Sequence, residues 1–214
     1  MTEEEWLKDT DPDGWLDPDI ALAFGTRKLR LVCVACCRRV SQLLTAECST
    51  AVEVAEAFAD GRASEEQLRT AGKAASDSKS GFEGNRYDAC VAVGYLAEGD
   101  IHSNAHVICN SLARAVWVKG PEKRAERVAH MNALREIFGN PFRPVRFDPA
   151  WRTDTALTLA RQMYESREFS AAPILADALQ DAGCDADELL NHLRDPHAAH
   201  VRGCWALDLV LGKA

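Results

Sequence analysis

The sequence predicts an all-α fold: a single irregular multi-helix domain over residues 1–214, with an extended, proline-containing crossing segment near 139–147. Three observations carry this. Apolar residues recur at spacings of three and four along most of the chain, the signature of one buried helical face. No apolar–polar alternation longer than four residues, as a half-buried strand would show, is present. Helix start and stop signals, Asp-Pro pairs, a capping box and glycines after apolar runs, punctuate the pattern.

Taken in order, the first 25 residues hold turn and helix-start signals at Asp11-Pro12-Asp13-Gly14 and Asp17-Pro18, with Trp6, Leu7, Trp15, Leu16 and Phe24 as apolar anchors. Short helical turns are expected there. From Arg27 to Leu44 the apolar residues Leu29, Val32, Cys33, Cys36, Val40, Leu43 and Leu44 line one face of a long helix. Ser49 to Phe58 repeats the pattern and Asp60-Gly61 ends it. Ser64-Glu65-Glu66-Gln67 is a capping box, in which the Ser and Gln side chains satisfy backbone N–H groups that open the next helix.

The stretch SDSKSGFEGNR, residues 76–86, is small and polar and reads as a flexible loop. Helices are predicted over Tyr87–Leu96 and His102–Val118. Gly120-Pro121 breaks the chain, and Pro121 suits the first turn of a helix reaching Phe138. In FGNPFRPV two prolines forbid a helix, and Phe142, Val145 and Phe147 are expected to be buried. Asp148-Pro149 opens a helical stretch, followed by helices over Thr153–Glu165, Ala172–Ala182 and Asp185–Leu193. A last helix is predicted from about His200 to Leu211.

A net charge of -8 argues against a general nucleic-acid-binding surface, and Arg27-Lys28-Leu29-Arg30 and Lys119 to Arg127 read as solvated helix faces. No apolar run approaches the roughly 18 residues of a membrane span, and the acidic start Met1-Thr2-Glu3-Glu4-Glu5 is unlike a signal peptide. A cytoplasmic protein is expected, and its eight cysteines are expected to be reduced thiols.

Two blocks are too particular for composition alone. One is MTEEEWL…TDPDGWL…RKLRLVCVACCRRV with AVEVAEAFADG; the other is LREIFGNPFRPVRFDPAW…PILADALQDAGCDADELLNHLR…HVRGCWALDLVLGK. Together they resemble an uncharacterised family of bacterial proteins that open on Met-Thr-Glu-x-Glu-Trp-Leu and close on His-Val-Arg-Gly-Cys-Trp-x-x-Asp-Leu-x-Leu-Gly-Lys. ILADALQDAGC is also similar to the helical segments that accompany repeat proteins. The resemblance divides the chain into an N-terminal helical block (1–75), a divergent middle (76–138) and a C-terminal helical block (139–214). It implies a helical domain in a bacterial cytoplasm, and it transfers no catalytic residue.

Three groups of residues could carry chemistry. His102, His106 and Cys109, spaced by four and three, fall on one helical face, and imidazole and thiolate are zinc ligands. Cys90, His130 or Asp100 would supply a fourth. The competing reading turns Cys109 to the core, with both histidines at the surface. Cys33-x-x-Cys36 has the spacing of a redox dithiol or half a zinc site, but mid-helix it reads first as core. In PHAAHVRGCW, the residues His197, His200, Arg202, Cys204 and Asp208 form a polar cluster: either a small pocket or metal site, or ties that fix the start of the last helix, with Asp177 or Asp181 as partner for Arg202.

No nucleotide loop or nucleophile elbow is present. The sequence therefore favours a non-enzymatic helical interaction or regulatory module with a protein partner, Trp6, Trp15, Trp117 and Trp151 being the first candidates for an exposed patch. The rival expectation is a metal-binding protein or metal-assisted hydrolase, with zinc as the cofactor.

Overall fold

The computed structural model describes residues 1–116 and 121–213, residues 121–123 by their backbone alone; Trp117 and Lys119 lie outside them. The fold is all-helical: among the described residues there are twelve α-helices, two short 3-10 turns and no strand. They are α1 (Glu3–Lys8), α2 (Pro18–Ala21), α3 (Thr26–Arg39), α4 (Ala46–Ala59), α5 (Glu65–Ser78), α6 (Asn85–Leu96), α7 (Ile101–Ala115), α8 (Pro121–Phe138), α9 (Asp154–Ser166), α10 (Ala172–Asp181), α11 (Asp187–Arg194) and α12 (Trp205–Leu211). The chain forms two compact units, one of Lys8–Leu134 and one of Met1–Leu7 with Arg135–Ala214. No helix among the described residues is long and apolar enough to cross a membrane.

In the Lys8–Leu134 unit, α3 packs on α4 and α7, α4 on α5, and α6 on α5 and α7. The capping box forms as its sequence predicts: Ser64 Oγ accepts from the Gln67 N–H, and Gln67 Oε1 accepts from the Ser64 N–H. Thr45 caps α4 through the Cys48 N–H, so that helix starts before the apolar pattern does. The long helix predicted to Leu44 stops at Arg39 and gives way to a 3-10 turn at Ser41–Leu43. α5 runs on to Ser78, three residues into the predicted loop, with Gly72 and Ala75 buried on its inner face; a Cβ on Gly72 would stand 2.5 Å from the Ala97 Cβ.

Arg30 explains part of the basic stretch beside it. The side chain is buried, and its guanidinium donates to the carbonyls of Leu96 (2.6 Å), Gly99 (3.2 Å) and Glu98 (3.3 Å) with the Phe58 ring beneath it. A cation thus satisfies carbonyls at the C-terminal end of α6, where the helix dipole is negative. It is a structural tie, not a solvated face.

The other unit packs α9, α10, α11 and α12 around Trp151, Met163, Leu175, Leu179, Leu189 and Trp205. The crossing from Gly139 to Asp148 is non-helical, as predicted. Val145 and Phe147 pack on this core, but Phe142 is 41 % exposed, against expectation. Asn140 Oδ1 accepts the Phe142 N–H in a local turn that directs the chain outward there. Trp6 is buried, its indole N–H donating to Gly139 O, and Trp15 and Trp151 are buried too. None of these three tryptophans forms an exposed patch.

Candidate metal centre

α12 begins at Trp205, not at His200, and residues 195–204 form an irregular loop. Pro196 cannot continue α11. Asp195 Oδ1 accepts the His197 N–H (2.8 Å), a turn that Asp favours, and Gly203 adopts φ +91°, a left-handed conformation natural only to glycine. Cys204 thereby becomes the residue before α12, and His200 sits four residues earlier in the loop. The leucines of α11, Leu189, Leu190 and Leu193, bury one face of that helix and leave His192 in its last turn.

This loop and two helix ends bring four donors together. Glu136 from the last turn of α8, His192 from α11, and His200 and Cys204 from the loop place one ligand atom each within 4.8 Å of all the others. His200 Nδ1 lies 2.9 Å from Glu136 Oε1, and His192 Nε2 lies 3.6 Å from Glu136 Oε2. His192 Nε2 is 3.2 Å, and His200 Nδ1 3.9 Å, from Cys204 Sγ. Cys204 is fully buried; the side chains of Glu136 and His200 are 8 % exposed and that of His192 18 %.

The electrostatics follow from this packing. Burial alone would raise the Glu136 carboxyl, but the neighbouring His192 and His200 outweigh it and hold the group below the usual carboxylate range. Burial, together with the Glu136 carboxylate, pushes the Cys204 thiol well above its ordinary value. The Trp205 ring is 4.9 Å from the His192 ring and Phe169 is 6.0 Å from that of His200. Gly139, at φ +66°, lies behind Trp205, where a Cβ would come 3.0 Å from the indole. A cleft of about 440 Å³, lined by Phe169, Leu193, Pro196, Ala198 and His200 among others, borders the His200 side of the group.

Of the polar cluster expected in the tail, His200 and Cys204 meet, and His197, Arg202 and Asp208 do not join them. His197 is exposed on the loop. Arg202 lies over the Tyr164 ring at 4.6 Å, and Asp208 is buried within α12. Asp177, one of the two carboxylates offered as a partner for Arg202, pairs with Arg194 at 2.6 Å. Of the other group, His102 Nε2 pairs with the Phe24 carbonyl at 3.0 Å, and His106 is part-buried on the same helix. Cys109 is buried against Cys36 and His130, so the three residues predicted as one set do not converge. Asp100 is occupied as the cap of α7, accepting from the Ser103 N–H.

Sequence reasoning missed Glu136 and His192. His192-x7-His200-x3-Cys204 was a usable signal, three metal-type donors within thirteen positions. Glu136 gave none, being one acidic residue among many, 64 residues from His200. Compared with protein-family models, with curated proteins and with solved structures, the chain matches none.

Proposed function

We propose that this chain is a non-enzymatic helical metal-binding protein, in which Glu136, His192, His200 and Cys204 hold one zinc-type divalent ion that fixes the loop 195–204 against α8 and α11. The observation that carries the reading is the convergence of the four donors from three separate stretches of chain. Zinc takes nitrogen at about 2.0 Å and sulfur at about 2.3 Å, so neighbouring donors of a tetrahedral ion stand about 3.3–3.8 Å apart. Four of the six donor separations, 2.9 to 3.9 Å, bracket that spacing, and all six lie within 4.8 Å.

Donor chemistry favours zinc over magnesium or calcium, which take oxygen ligands. Four protein donors leave no position for a water nucleophile, which supports a structural ion over a metal-assisted hydrolase. A regulatory or interaction module stiffened by its ion is the role that fits a closed centre. The test is metal content by elemental analysis, on protein purified without a metal-affinity tag. His200→Asn and Cys204→Ser should each carry one equivalent less than the wild type. Equal metal in all three would overturn the reading.

A further inference from the structure

Three side chains of the Lys8–Leu134 unit, Cys36, Cys109 and His130, meet elsewhere, with Cys33 one helical turn before Cys36. Cys33 and Cys36 stand one turn apart on α3, Cys109 comes from α7 and His130 from α8. The ligand atoms of Cys36, Cys109 and His130 all lie within 4.8 Å of one another; the Cys33 thiol stands outside that set, buried one turn away on the same helix and interacting electrostatically with Cys109. Burial is complete: Cys33, Cys36 and His130 are 0 % exposed and Cys109 is 1 % exposed.

Buried thiols alone are ordinary core, because free cysteine packs as a small hydrophobe. His130 is not ordinary. Neither of its ring nitrogens makes an aligned hydrogen bond among the described residues, although Nε2 lies 3.2 Å from Glu126 Oε1. A buried polar group left in that condition forfeits its solvation without return, whereas leucine at the same place would cost nothing of the kind. The imidazole stands against the very thiols with which it would share an ion.

We infer that Cys33, Cys36, Cys109 and His130 form a second zinc-type metal site, fully buried, that ties α3, α7 and α8 together. Three cysteines and one histidine are a standard donor set for structural zinc. Glu126 is placed as the outer carboxylate that orients a metal-bound imidazole, and Arg39 holds it through two contacts of 2.8 and 2.9 Å. On binding, Cys33 and Cys36 each exchange an S–H bond for a sulfur–metal bond, Cys109 binds as the thiolate it already forms beside His130, the His130 imidazolium gives up its proton to bind as a neutral ring, and the three protons pass to solvent. The resulting centre, three thiolates around a dication, carries one net negative charge. Arg30 acts electrostatically on Cys33, and Arg39 on Cys36, with the sign that offsets it. With no exposed donor, this ion would be loaded as the unit folds, unlike the one beside the cleft.

This site shares no residue with the centre at Glu136, so the two can fail separately. The test uses the full chain carrying His192→Ala and His200→Ala together, loaded with zinc or cobalt(II). The double variant should keep one metal per chain, with intense thiolate-to-cobalt charge-transfer bands, and adding Cys109→Ser should abolish them. X-ray absorption of the zinc-loaded double variant should find three sulfurs at about 2.3 Å and one nitrogen at about 2.0 Å. If the double variant proves unstable, wild-type protein gives the same answer: two sulfurs per zinc on average with both sites filled. A double variant without metal, or wild-type zinc with one sulfur each, overturns this second site and leaves the first intact.

Discussion

His200 Nδ1 stands 2.9 Å from Glu136 Oε1, joining a loop residue to the last turn of a helix 64 residues earlier in the chain. The carboxylate is shared, since its other oxygen faces His192 at 3.6 Å. Removing it tests the centre without deleting an imidazole. Glu136→Gln keeps the size of the side chain but removes an anionic ligand, and zinc affinity should fall at least 10–100-fold, the range for an altered metal environment. Competition against a chromophoric chelator measures this. Unchanged affinity would exclude Glu136 from the ligand set.

Metal affinity should rise with pH. Burial, and then the Glu136 carboxylate, keep Cys204 a thiol at neutral pH, while the ion takes the thiolate. Each binding event therefore expels the Cys204 proton, and raising the pH favours the bound state by about tenfold per unit. The same chelator competition, repeated across the neutral range, reads the slope. A flat profile would show that Cys204 gives up no proton to the metal.

Gly139 should be sensitive although it is not a donor. An L-residue at φ +66° costs about 1–2 kcal/mol, and its Cβ would come 3.0 Å from the Trp205 indole that packs on His192. Gly139→Ala should lower stability by about that amount and weaken metal binding as the indole shifts. Thermal unfolding with and without zinc separates the two effects: the stabilisation added by zinc should be smaller than in the wild type.

Arg30→Met should destabilise the Lys8–Leu134 unit by about 3 kcal/mol, the scale of losing charge-assisted hydrogen bonds to buried carbonyls. The guanidinium donates to Leu96, Glu98 and Gly99, and methionine offers them no donor. Denaturant unfolding monitors the loss. A change below about 1 kcal/mol would mean that water takes over those carbonyls.

The helical class, the capping box at Ser64, the break at the prolines after Gly139 and the burial of Cys33 and Cys36 were legible in the sequence, because each follows from neighbours along the chain: spacing on one face, a side chain within reach of its own backbone, a ring that fixes φ. The tail was half legible. Its histidines and cysteine stood out, but PHAAHVRGCW suggested a helix start, whereas Asp195, Pro196 and Gly203 turn it into a loop. That difference decides which donors meet, since on a helix His197 and His200 would share a face with Cys204, while in the loop His197 is exposed and outside the group. Glu136 with His192, and Cys109 with Cys36 and His130, are pairings that only tertiary structure makes. Helix periodicity fixes which side of an element is buried; which elements then bring their buried sides together depends on packing between residues far apart in the chain, and metal-type donors are recognisable as a set only once that packing has placed them within a few ångströms.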